Sequence, residues 1–126
     1  MTRDTLSDFR LEDFSAQGTQ RPVYRLGPGP GVVVMSEIPG ITPRVADFAR
    51  RLVSEGFCVA MPDLFGEAGK APSSAYVARS LAQTCLSREF RLFRTRGSSE
   101  VTRWCRSLAR DLHRRCGGPG VGAIGM

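Results

Sequence analysis

The sequence predicts an α/β fold: a mainly parallel sheet flanked by helices, left incomplete within these 126 residues. Three observations predict it. Val32-Val33-Val34-Met35 and Phe57-Cys58-Val59-Ala60-Met61 are continuous apolar runs, the pattern of strands buried on both faces of a parallel sheet. Between them lies a segment with apolar residues at helical spacing, which makes a strand–helix–strand unit with an expected right-handed crossover. A third parallel-type strand, Val121 to Gly125, follows a second amphipathic helix.

Taken in order, residues 1–30 hold two short strand candidates, Phe9–Phe14 and Gln20–Leu26. Ala16-Gln17-Gly18-Thr19 between them reads as a hairpin turn. Leu26-Gly27-Pro28-Gly29-Pro30-Gly31 breaks the pattern before the first buried strand. Residues 31–66 form the βαβ unit. Thr42-Pro43 opens its helix as N-cap and first-turn proline, Val45, Phe48, Ala49 and Leu52 make one apolar face, and Gly56 closes it. Pro62 stops the second strand. Lys70 to Ser74 is a polar loop, and residues 73–118 are otherwise read as helical: Tyr76 to Arg96 in two pieces broken near Ser87, then a stronger helix capped by Ser98 or Ser99. That helix presents Val101, Trp104, Cys105, Leu108 and Leu112 on one face and ends with Arg114 and Arg115 before Gly117-Gly118. Residues 120–126 hold the last strand.

Composition is that of an ordinary globular chain: 41% hydrophobic, 24% charged and 8% aromatic. No run approaches a bilayer span, and no apolar segment follows Met1-Thr2-Arg3-Asp4, so a cytoplasmic location is expected. The net charge of +6 is uneven, because ten of the seventeen arginines fall between Arg79 and Arg115 against three acidic residues. Solvated helix faces account for this more simply than phosphate contacts do. Cys58, Cys85, Cys105 and Cys116 lack any zinc-type spacing, so no metal is expected. In a reducing compartment they are expected as thiols, with Cys58 and Cys105 acting as small buried hydrophobes.

Chemistry is sought first in the turns that follow the buried strands, because ligands of open α/β sheets bind beyond the carboxyl ends. Ser36-Glu37-Ile38-Pro39-Gly40 is the first such turn. A carboxylate at Glu37 is expected to be partly desolvated, with a raised pKa, and the Ile38 amide is placed to hold an oxyanion. The competing reading is a strand-end glutamate paired with an arginine. Pro62-Asp63-Leu64-Phe65-Gly66 is the second turn, where Asp63 reads as an Asx-turn or helix-cap residue. His113, the single histidine, is expected on a solvated helix face. The closing Gly-Ala-Ile-Gly-Met resembles the approach to a nucleophile elbow, with Gly125 in the first small position and the nucleophile expected directly after Met126.

These segments together resemble the dienelactone hydrolase family of α/β-hydrolases over nearly the whole chain. The resemblance is carried by Val32 to Ile41 (VVVMSEIPGI), Phe48 to Asp63 (FARRLVSEGFCVAMPD) and Val121 to Met126. It implies that residues 1–126 are the N-terminal part of a single α/β-hydrolase domain. It further implies an ester- or lactone-hydrolysing enzyme with a Cys or Ser nucleophile after Met126, an Asp and a His further on, and no cofactor. Glu37 matches the glutamate that contacts the resting nucleophile, and the Ile38 amide matches one oxyanion donor. Arg88 and Arg91 are candidates for binding a substrate carboxylate. The rest of the hydrolase chain is expected to pack on Val121–Met126, and no membrane partner is implied.

Two other classes compete with this reading. One is a basic anion- or nucleic-acid-binding module that uses Arg91, Arg94, Arg96 and Arg103 beside Phe90, Phe93 and Trp104. The other is a catalytically dead hydrolase fold acting through protein interactions.

Overall fold

The computed structural model describes residues 3–37, 40–85 and 100–125. Within them the chain runs β1 (Arg10–Ala16), β2 (Thr19–Leu26), β3 (Gly31–Met35), α1 (Pro43–Ser54), β4 (Cys58–Pro62), α2 (Ser74–Cys85), α3 (Glu100–Cys116) and β5 (Gly122–Gly125). The strands form one mixed sheet in the order β1-β2-β4-β3-β5. β1, β2 and β4 pair antiparallel, whereas β4, β3 and β5 pair parallel.

The expected hairpin joins β1 to β2. Its two central residues, Gln17 and Gly18, have φ of 53° and 75°, the left-handed pair that matches the twist of the flanking strands. The βαβ unit also follows the sequence reading. The Thr42 side chain accepts a hydrogen bond from the Val45 amide at 3.4 Å, Pro43 opens α1, and Gly56 leaves it with φ of 98°.

Strand alternation divides the core into two layers. Val32, Val34, Val59 and Met61 face α1, where they meet Val45, Ala46 and Ala49 together with Leu6 and Phe9 of the N-terminal segment. Val33, Cys58 and Ala60 face the other way, onto Trp104, Leu108 and Leu112 of α3. Gly31 starts β3 because α3 lies close there: a Cβ would stand 2.7 Å from Leu112 Cγ.

Ion pairs close both layers at their margins. Arg50 of α1 holds Asp4 at 2.7 Å and Asp8 at 2.8 Å, clasping the N-terminal segment to the helix. On the opposite face the buried Arg25 meets Glu12 at 2.9 Å and Asp111 at 3.3 Å, and Arg115 shares both acids.

β5 pairs with β3 in parallel as expected, and within these residues Gly122, Ala123 and Gly125 are exposed. β5 is the last strand of the sheet, and among the described residues no strand pairs with its outer edge. The break near Ser87, the cap at Ser98 or Ser99, and Arg88, Phe90, Arg91, Phe93, Arg94 and Arg96 lie outside the described residues.

Candidate functional site

The three parallel strands end at Met35, Pro62 and Gly125, and a cavity of about 580 Å³ runs between α3 and the face of β3 and β5 up to these ends. Met35, Ser36, Glu37, Leu64 and Phe65 supply its wall from the strand ends. Val101, Thr102, Cys105, Arg106 and Ala109 supply the α3 wall, and Val121, Ala123 and Gly125 supply the third. The α3 residues recur every four positions along one helical face, and the β5 residues every two along one strand face, so both walls follow directly from local periodicity.

The lining is largely apolar, with few polar groups. Ser36 is 3% exposed, and its Oγ has no hydrogen-bond partner among the described residues. Glu37 stands at the mouth. Its carbonyl accepts from the Gly40 amide at 2.7 Å. Gly40 is required there, since its φ is 125° and a Cβ would collide with the Phe65 carbonyl. The Glu37 side chain is exposed, not partly desolvated as the sequence suggested. Ile38, the expected oxyanion donor, lies outside the described residues, as do Arg88 and Arg91.

Other candidates fall away from the cavity. Asp63 is partly buried and burial pushes its carboxyl up, yet it makes neither an Asx turn nor a cap. Its backbone N–H donates to the Pro22 carbonyl at 2.9 Å, and the next helix starts only at Ser74. His113 is exposed on α3, with a ring nitrogen 3.1 Å from the Gly118 carbonyl. Cys105 departs from the expected core position: it is half-buried on the cavity wall, where desolvation raises its thiol pKa. Arg106 was not singled out from the sequence; its i+1 position after Cys105 on an apolar face was the signal available.

Among the described residues, part of the basic surface is paired with acids. Arg25, Arg114 and Arg115 all contact Asp111, and Arg115 also contacts Glu12. Trp104, proposed as a stacking platform for bases, is fully buried beneath an Arg21 guanidinium 5.0 Å from its ring. Its face is therefore closed to a base. Among the described residues no group of three His, Cys, Asp or Glu is placed to hold a metal ion, and no helix is long and apolar enough to cross a membrane.

The family model described as the dienelactone hydrolase family matches residues 18–125. Among solved structures, the protein designated m3DLH is 25% identical with a TM-score of 0.57, and the match covers 94% of this chain and 48% of that one. A structure from Klebsiella pneumoniae described as a dienelactone hydrolase is 21% identical with a TM-score of 0.59, covering 94% and 50%. A dienelactone hydrolase-like promiscuous phosphotriesterase from metagenomic libraries is 22% identical with a TM-score of 0.54, covering 94% and 48%. The chain thus spans about half the length of these structures. No curated protein sequence matches it.

Proposed function

Because the chain belongs to the dienelactone hydrolase family, we propose that it supplies the first half of an ester- or lactone-hydrolysing site. The observation that carries this reading is the register of β3 against β5. Met35 pairs with Gly125 in a parallel ladder. β3 ends at Met35, and Glu37 follows it by two positions just as the residue directly after Met126 follows Gly125, which supports a contact between Glu37 and the Cys or Ser nucleophile that the elbow pattern expects there. Glu37 then contacts the resting nucleophile, and the Ile38 amide becomes one of two oxyanion donors.

The mechanism assigned to the complete site is acyl transfer. The nucleophile adds to the carbonyl carbon, a histidine takes its proton, and the tetrahedral oxyanion rests on two amides. The alkoxide leaves with the proton returned by histidine, and water then cleaves the acyl-enzyme by the same route in reverse. The apolar cavity wall suits the carbon skeleton of a small ester or lactone, with Arg88 and Arg91 proposed to meet a substrate carboxylate. The remaining polypeptide of the hydrolase is proposed to pack on Val121–Met126, adding strands to the free edge of β5.

The test is hydrolysis of a p-nitrophenyl ester by the chain alone and by the polypeptide continued beyond Met126. The 126 residues alone are expected to give no acyl-enzyme burst. The continued polypeptide is expected to turn over and to lose activity when the residue after Met126 becomes Ala. A burst from the chain alone, or a Gly or Ala naturally at that position, overturns the reading.

A further inference from the structure

Two of the four cysteines stand together on the α3 side of the sheet. Cys58 is the first residue of β4, and its register partner on β3 is Gly31. The space left by the absent side chain of Gly31 is filled by Leu112, as its close approach shows. Cys116 lies one helical turn beyond Leu112, on the same face of α3. The chain after it is held down at the same place. A Cβ at Gly118 would rest 3.7 Å from Pro30 Cβ, and the Pro30 carbonyl accepts the Cys58 amide at 2.9 Å. The last turn of α3 is therefore fixed over the start of β4 from two sides. Cys58 lies in this core layer, Cys116 packs against the same layer at its margin, and neither is bridged.

We infer that Cys58 and Cys116 are a redox-active pair that closes reversibly to a disulfide by exchange with a low-molecular-weight disulfide. The pair is unequal in access, which orders the steps. Half-buried Cys116 attacks first: its thiolate bonds to one sulfur of the reagent, the reagent's S–S bond breaks, and one thiolate leaves and is protonated. Cys58 then gives its proton to solvent and attacks Cys116 Sγ, expelling the second reagent thiol. Two protein thiols are oxidised to one disulfide, and the reagent is reduced to two thiols. Burial first, and then the neighbouring thiol, push the Cys58 pKa up to about 11, while the Arg25 cation favours the thiolate. The bond ties the end of α3 to β4 and so fixes the helix that forms one wall of the cavity.

The experiment incubates the purified chain with oxidised glutathione, blocks residual thiols by alkylation, and reads intact mass and a non-reducing peptide map. The expected product has lost two hydrogen masses and contains a linked Cys58–Cys116 peptide pair. Dithiothreitol restores the starting mass. The oxidised form melts at a higher temperature than the reduced one. Cys105→Ser leaves the product unchanged, and Cys116→Ser abolishes it. Should that variant fold poorly, the wild-type peptide map decides alone. A stable glutathione adduct at Cys116 with Cys58 still alkylated overturns the inference. So does a link joining any other pair, or no reaction in the folded chain under conditions that oxidise the unfolded one.

Discussion

The Trp104 indole N–H donates to the carbonyl of Thr19 at 3.0 Å, joining the longest helix to the first residue of β2. Phe14 meets the same ring edge-on with centroids 5.5 Å apart, and Arg21 covers its face. Trp104 thus ties α3 to the hairpin end of the sheet.

Replacing Trp104 with Phe keeps part of the apolar volume but removes the hydrogen bond to the half-buried Thr19 carbonyl and weakens the Arg21 stack. A loss of about 1 kcal/mol is expected from the hydrogen bond. Urea unfolding followed by circular dichroism measures it. An unchanged midpoint would show that the indole contributes nothing beyond volume.

Gly31 and Leu112 are expected to be coupled. Gly31→Ala inserts a methyl group where Leu112 Cγ stands 2.7 Å away, an overpacking cost of about 1–3 kcal/mol. Leu112→Ala leaves a cavity and costs about 2–5 kcal/mol alone. Combined, the two changes should cost clearly less than their sum, because the second makes room for the first. Strict additivity in a double-mutant cycle would refute the contact.

Acid should release the N-terminal segment. The Arg50 hydrogen bonds hold the Asp4 and Asp8 carboxyls below the ordinary value of 3.8, more than offsetting their partial burial. With folded pKa values below the unfolded ones, the clasp contributes fully above the ordinary carboxylate range and is lost as pH falls through the depressed values. Arg50→Met should therefore lower the melting temperature at pH 6 and flatten its fall below about pH 4. The measurement is a series of thermal melts across that range; parallel wild-type and variant curves would exclude the clasp as a source of acid sensitivity.

In the polypeptide continued beyond Met126, Glu37→Gln is expected to lower kcat by about 100-fold, the scale of a positioned acid–base contact. KM should change little, because Glu37 is assigned to the nucleophile rather than to the substrate. Steady-state kinetics on an activated ester separates the two, and a rise in KM at constant kcat would reassign Glu37 to substrate binding.

Much of this fold is legible in sequence because its signals are local. Thr42, Pro43 and Gly56 bound α1 by capping chemistry, and Gln17-Gly18 marks the hairpin through its left-handed turn. The uninterrupted runs Val32–Met35 and Cys58–Pro62 reveal strands covered on both faces. What was not legible depends on long-range pairing. Nothing in Val121–Gly125 says that it pairs with β3 rather than β4, so its place beside β3 came only with the strand order. Asp63 looked like a cap because it follows a strand and a proline, yet the helix it would cap starts eleven positions later. Of the candidate site, Glu37 was found from its place after a buried strand, whereas Arg106 and the cavity face of Cys105 required the packing of α3.

The mixed sheet also sets an order of assembly. β1 and β2 meet through a two-residue turn, so their pairing closes a very short loop. Val32 and Gly122, paired across β3 and β5, are ninety positions apart, and the entropy of closing so long a loop must be met before any contact rewards it. On this ground the antiparallel side is expected to form early and β5 to dock last. Until it docks, the β3 edge is bare, and that interval is when the chain is most prone to pair with the wrong strand.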